Sequence, residues 1–270
     1  MDLNLKGRNA LVCGSSQGIG KAVAIELASL GANVILLARN EETLKRTLKE
    51  LAQKDNKHDY LVADFTDPEL LKKVLENYMQ KNKIDFDILI NNTGGPPGGL
   101  ISDAKTNEFE NAFSQHLISN HILVQTVVEG MKRTGYGRII NIISTSVKQP
   151  LNGLGVSNTI RGAVASWSKT MANELGEFGI TVNNVLPGAT ATVRLESIIE
   201  SKARKTGKST SEIADIMKSQ IPLGRFAEAK ELAYTVGFLA SPSAAYISGV
   251  NIPVDGGRRR VYRLKVKSKK

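Results

Sequence analysis

Short apolar runs bounded by turn residues alternate with amphipathic stretches of helical period along nearly the whole chain. This alternation constrains the fold more than any other feature. Parallel strands need a crossover between them, and an amphipathic helix supplies both the crossover and the cover for one face of the sheet. The pattern predicts strands over residues 9–13, 33–38, 60–63, 88–90, 138–143, 181–186 and 251–254, and helices over 18–30, 41–53, 68–80, 106–134, 157–178 and 229–239. The expected fold class is α/β, a Rossmann-type doubly wound parallel seven-stranded sheet with helices on both faces.

A chain of 270 residues with 41% hydrophobic content can bury one large core, so one domain is expected over residues 1–257. Residues 258–270 form a basic C-terminal tail. Arg258, Arg259, Arg260, Arg263, Lys265, Lys267, Lys269 and Lys270 supply eight of the 36 basic residues, with no acid among the last thirteen. The remaining 28 basic residues face 26 acidic ones, so the net charge of +10 belongs mostly to the tail. A solvated tail is the plainer reading; nucleic-acid binding ranks last, because no reading module accompanies the charge. Alternation in Val261-Tyr262-Arg263-Leu264-Lys265-Val266-Lys267 would also let the tail add an edge strand or contact another subunit.

Cys13 is the single cysteine and falls in an apolar run, which points to a small buried thiol. The start lacks an apolar signal region, and no run of 18 apolar residues is long enough to span a bilayer. The expectation is a soluble cytoplasmic protein without membrane partners.

After the first strand comes Gly14-Ser15-Ser16-Gln17-Gly18-Ile19-Gly20, opening directly into a helix. Glycines there permit a tight turn and close approach of backbone to a pyrophosphate, whose charge the free N–H groups of the helix start would hold. In an NAD site, an acidic residue about 20 positions on takes the ribose hydroxyls. Here Ala38 is followed by Arg39, and a guanidinium pairs with a 2′-phosphate, so the expected cofactor is NADP(H). The alternative for Arg39 is a solvated residue at a strand end. Residues 194–220 carry charged helical signals and no strand, an excursion that reads either as a lid beyond the carboxyl ends of the strands or as a surface insertion.

Several segments jointly resemble the short-chain dehydrogenases/reductases, and most of all the 3-oxoacyl-acyl-carrier-protein reductases. They are the Gly14–Gly20 turn, Ala63-Asp64-Phe65-Thr66-Asp67, Asn91-Asn92-Thr93-Gly94, Gly137-Arg138-Ile139-Ile140-Asn141-Ile142-Ile143-Ser144, Asn183-Asn184-Val185-Leu186-Pro187-Gly188, Ile221-Pro222-Leu223-Gly224-Arg225-Phe226 and Val254-Asp255-Gly256-Gly257. The resemblance implies that Asp64 and its neighbour Phe65 lie by the adenine. It also implies that Asn91, Thr93 and Gly94 line the cofactor cleft, and that Pro187, Gly188 and Thr192 meet the nicotinamide end.

The family tetrad is Asn, Ser, Tyr and Lys. Ser144 matches its Ser; the Tyr position holds Ser157, the Lys position Arg161, and the Asn position His116. A serine hydroxyl does not titrate near neutral pH, so Ser157 can hydrogen-bond and little more. Arg161 can hold the cofactor ribose or stabilise an oxyanion but donates protons poorly. His116 is a candidate acid or proton relay, and Lys148 a second; against these stand a packed helix histidine and a solvated loop lysine.

Two functions follow. One is an NADP(H)-dependent oxidoreductase acting on a small carbonyl/alcohol substrate through an atypical site. The other is a catalytically silent NADP-binding protein with a regulatory or scaffolding role. The long helices resemble those that pair subunits in the family, which implies a homo-oligomer, a tetramer, with Ala163, Val164 and Trp167 between chains. The Gly94-Gly95-Pro96-Pro97-Gly98-Gly99 loop departs from the family and would reshape the pocket.

Overall fold

The computed structural model describes residues 1–52 and 56–258. Seven strands, β1 Asn9–Cys13, β2 Asn33–Ala38, β3 Asp59–Val62, β4 Ile88–Asn91, β5 Gly137–Ile142, β6 Ile180–Pro187 and β7 Asn251–Val254, pair in parallel in the order β3-β2-β1-β4-β5-β6-β7. Between them run α1 Gly18–Ser29, α2 Glu41–Glu50, α3 Pro68–Asn82, α4 Thr106–Phe113, α5 Ser119–Thr134, α6 Gly155–Leu175, α7 Val193–Thr206, α8 Thr210–Ser219 and α9 Ala229–Ala240. Successive side chains of a strand point to opposite faces. Ala10 and Val12 of β1 therefore join a core layer with Val23, Leu27, Leu232 and Val236, while Leu11 and Cys13 join Leu71, Leu75, Leu123 and Val127 on the other side. Each fully buried leucine of these layers contributes about 1.5–3 kcal/mol of transfer free energy.

The order reverses between β1 and β4, which opens a crevice outside the carboxyl ends of the strands. Next to it, Asn91, Asn141, Asn184 and Asn251 stand in register on β4 to β7. Their amides form a ladder: Asn91 donates to Asn141 at 2.9 Å, Asn141 to Asn184 at 2.9 Å, and Asn184 to Asn251 at 2.8 Å. Buried amides need partners, and this row supplies them from within the sheet, leaving the Asn91 amide oxygen at its end without one. At the β7 edge, Asn184 and Gly188 donate backbone N–H groups to the carbonyls of Val250 and Val254. Alternation along the strand therefore turns the nitrogen of Pro253, which lacks a hydrogen, toward the open side.

Some boundaries move. The helix expected over 106–134 divides into α4, a π-helical turn at Ser114–Ile118, and α5. Helix α6 begins two residues before the expected start and passes into a 3₁₀ turn, Gly176–Phe178. The excursion over 194–220 forms α7 and α8, both N-capped, by Thr192 and Ser209. Val164 corrects one interface expectation: it is wholly buried within its own chain beside Ile143, Ala165 and Leu186, whereas Ala163 and Trp167 stay half-buried. Residue 53 of the predicted second helix and the tail beyond Arg258, with its expected edge strand, lie outside the described residues. Among the described residues, no helix is long and apolar enough to cross a membrane.

Candidate active site

The glycine-rich turn leaves β1 with Gly14 at φ +59° and re-enters helix with Gly18 at φ +57°, both in the left-handed region that favours glycine. A Cβ on Gly20 would overlap the Gly14 carbonyl, and one on Gly14 would overlap the Asn92 backbone. Asn92 ties the turn to β4 by donating to the carbonyls of Cys13 and Gly14 at 3.3 and 3.2 Å. Ser15, wholly buried, accepts the Leu37 N–H at 3.0 Å, so its hydroxyl straps the turn to β2. Ser16 accepts from Thr47 through its carbonyl, and Ile19 packs on the core. Gln17, the N-cap of α1, makes no side-chain cap, and the first turn carries no acid, so the N–H groups of this helix start face the crevice uncommitted. This cradle, closed to any Cβ yet open to an anion, fits a pyrophosphate.

At the end of β2, exposed Arg39 lies 3.6 Å from the Asp64 carboxylate beyond β3. Phe65 is buried, and its carbonyl accepts from Ser119 at 3.0 Å. Asn91 sits within the ladder with one amide oxygen unpartnered, and Gly94 is exposed with open space around it. On the far lip, Gly188 donates to Val254 at 2.9 Å just after Pro187 ends β6, and a Cβ on Gly188 would stand 2.7 Å from the Asp255 backbone. Thr192 caps α7 and lies 3.4 Å from where a Gly18 Cβ would be, which brings the start of α7 beside the glycine turn.

The reacting end is built from β4, β5, the π turn and α6. Ser144 follows β5 half-buried, its hydroxyl accepting the Ser146 N–H at 3.1 Å. Ser157 occupies the first turn of α6, and Arg161 follows one turn later on the same face. Arg161 is 6% exposed and donates to the carbonyls of Ile142 at 3.3 Å and Thr93 at 3.5 Å. His116 projects from the π turn, a distortion often found at functional sites. Its Nδ1 contacts the Thr93 hydroxyl; its Nε2 is buried without a partner. Burial first, then the charges of Arg161 and Arg194, lower its pKa to about 3, so the imidazole is neutral near pH 7. Burial lowers Arg161 to about 10, which leaves it charged. Lys148 is exposed beyond the 3₁₀ turn that Ser144 caps. Such a cluster can hold a carbonyl oxygen and neutralise an oxyanion, and its imidazole is a hydrogen-bonding group rather than an acid.

Asn92 and the ladder residues Asn91, Asn141 and Asn184 lie in the family-like segments, but the contacts they make are not readable from them, because the partners are far apart in sequence. Arg194, on α7, donates to the Pro96 carbonyl at 2.9 Å and thus crosses to the loop after β4.

A doubly wound parallel sheet with a phosphate-type glycine turn at its switch point defines a dinucleotide-binding fold. The sequence profile described as Enoyl-(Acyl carrier protein) reductase matches residues 14–259, and the chain belongs to the short-chain dehydrogenase/reductase family. Among its relatives, it is 34% identical over 257 residues to the 3-oxoacyl-acyl-carrier-protein reductase FabG of Pseudomonas aeruginosa, covering 94% of this chain and 98% of that protein. The FabG of Haemophilus influenzae is 36% identical, with 94% and 98% covered. In structure it is similar to the L-sorbose reductase of Gluconobacter frateurii solved with NADPH and L-sorbose, with TM-score 0.90, 28% identity, and 97% and 100% of the chains covered.

Proposed function

We propose that this chain is an NADP(H)-dependent oxidoreductase acting on a small carbonyl/alcohol substrate through an atypical site, with Ser157 and Arg161 standing where the family places Tyr and Lys. The observation that carries the reading is at the end of β4, where Asn92 ties down the glycine turn and the neighbouring Thr93 carbonyl takes the Arg161 guanidinium, so that cradle and Arg161 border one crevice. Bound there, the cofactor would supply or accept hydride at its nicotinamide. Gly14 to Gly20 would hold its pyrophosphate, Arg39 its 2′-phosphate and Asp64 and Phe65 the adenine. Asn91, Thr93, Gly94, Pro187, Gly188 and Thr192 would enclose the nicotinamide half, and Arg161 its ribose. Relatives described as NADPH-dependent support the cofactor choice.

Ser144 and Ser157 would hold the substrate oxygen while Arg161 offsets its developing charge. Orientation alone contributes up to ~7–11 kcal/mol, whereas a missing general acid costs ~10²–10⁴ in rate. A slow reductase is therefore consistent with this site. The second reading, a catalytically silent NADP-binding regulatory or scaffolding protein, draws on the neutral His116, which leaves the cluster without an acid that titrates near neutral pH. Anaerobic stopped-flow mixing of the NADPH-loaded protein with ketones, aldehydes and quinones separates the two. NADPH oxidation above the substrate-free control supports the enzyme, and none across the panel supports the silent protein.

A further inference from the structure

We propose that Arg161 and Arg194 form a clamp for the carboxylate of an oxo-acid or hydroxy-acid substrate. The inference rests on the reductase reading and adds a substrate class to it. A guanidinium carries five N–H donors and prefers a planar, two-oxygen anion. Arg161 commits two of these donors, to backbone carbonyls at 3.3 and 3.5 Å, from a position 6% exposed. Arg194 gives one donor to the Pro96 carbonyl. Among the described residues, no carboxylate lies within ion-pair distance of either. Placing a buried cation beside a second cation is unfavourable unless an anion joins them.

Gly95 marks where they meet. A Cβ there would lie 3.3 Å from Nη2 of Arg194 and 3.9 Å from Nη2 of Arg161, so both guanidiniums border one point beside Gly95. His116 completes the cluster: its Nδ1 meets the Thr93 hydroxyl, Arg161 holds the Thr93 carbonyl, and its buried Nε2 has no partner. An oxyanion at this point could belong to the substrate or to the cofactor diphosphate. Arg194 is turned toward Gly95 and Pro96, where it meets Arg161, and this placement favours the substrate.

The test uses the full chain. NADPH is titrated first by its fluorescence. Pyruvate, acetoacetate and levulinate are then titrated calorimetrically against their methyl esters, with and without NADPH, on the native protein, Arg194→Gln and Arg194→Lys. At least one acid is expected to bind about tenfold more tightly than its ester, a preference of the size one charge-assisted pair gives. Arg194→Gln should cut that preference below about twofold, Arg194→Lys should keep part of it, and NADPH affinity should change less than about threefold in both. The clamp is overturned if no acid outbinds its ester or if the preference survives Arg194→Gln. A loss of NADPH affinity in Arg194→Gln with the acid preference intact also overturns it, by assigning the arginine to the cofactor. Absence of NADPH binding with the acid preference retained would instead overturn the reductase reading and leave the clamp standing.

Discussion

Arg39 and Asp64 form an exposed pair at 3.6 Å, a contact worth little to stability in water. In the proposed role Arg39 confers selectivity, and Arg39→Ala should lower the preference for NADPH over NADH about tenfold while shifting unfolding free energy by less than about 0.5 kcal/mol. Calorimetric titration of both nucleotides checks the first and urea unfolding the second. His116 carries a pH signature. Its folded pKa of about 3 lies below the ordinary value of 6.5. Between those values the unfolded chain takes up a proton that the folded chain refuses. Stability is complete above about pH 6.5 and declines as pH falls toward 3, by at most ~1.4 kcal/mol per unit. Native protein should therefore lose up to about 2 kcal/mol more than His116→Gln between pH 7.5 and 5.0; parallel losses would show that His116 is not held neutral. The Ser157→Tyr, Arg161→Lys double variant should raise NADPH oxidation with a small diketone or an acyl-thioester mimic, because the groups that orient the reactants are already present. No gain in a variant that folds and binds NADPH would mean the crevice serves another reaction or binding alone.

At the scale of elements, the asparagine ladder joins four strands through side chains that each depend on the next. Asn141→Ala would strand the Asn91 donor, the Asn184 acceptor and a contact to Ser168, and should cost about 3 kcal/mol in urea unfolding. The strands were legible because a buried parallel strand is a short apolar run between turn residues, and the glycine turn because its residue types follow from backbone geometry. The division of the 106–134 helix was not legible: a π turn adds a residue to the turn without disturbing apolar periodicity enough to show. The approach of Arg194 to Pro96 was equally hidden, since 98 residues separate them and nothing local records the contact. Val164 looked like an interface residue because period alone cannot tell a helix face covered by its own sheet from one covered by a neighbour.

For the whole molecule, the proposed homo-oligomer has to use what the single chain leaves accessible. On α5 and α6 that surface includes Ala163 and Trp167, the latter within 3.4 Å of His121. Sedimentation should give a sharp species of two or four chains at micromolar concentration, and Trp167→Glu should shift it toward the monomer; a native chain that sediments as a monomer would exclude the assembly. Strand β7 bears on a different kind of association. Among the described residues no strand pairs with its outer side, which presents a proline nitrogen with nothing to donate, so an extended segment arriving there meets a gap in the row of donors. Growth into fibrils by strand addition is thereby disfavoured at that border.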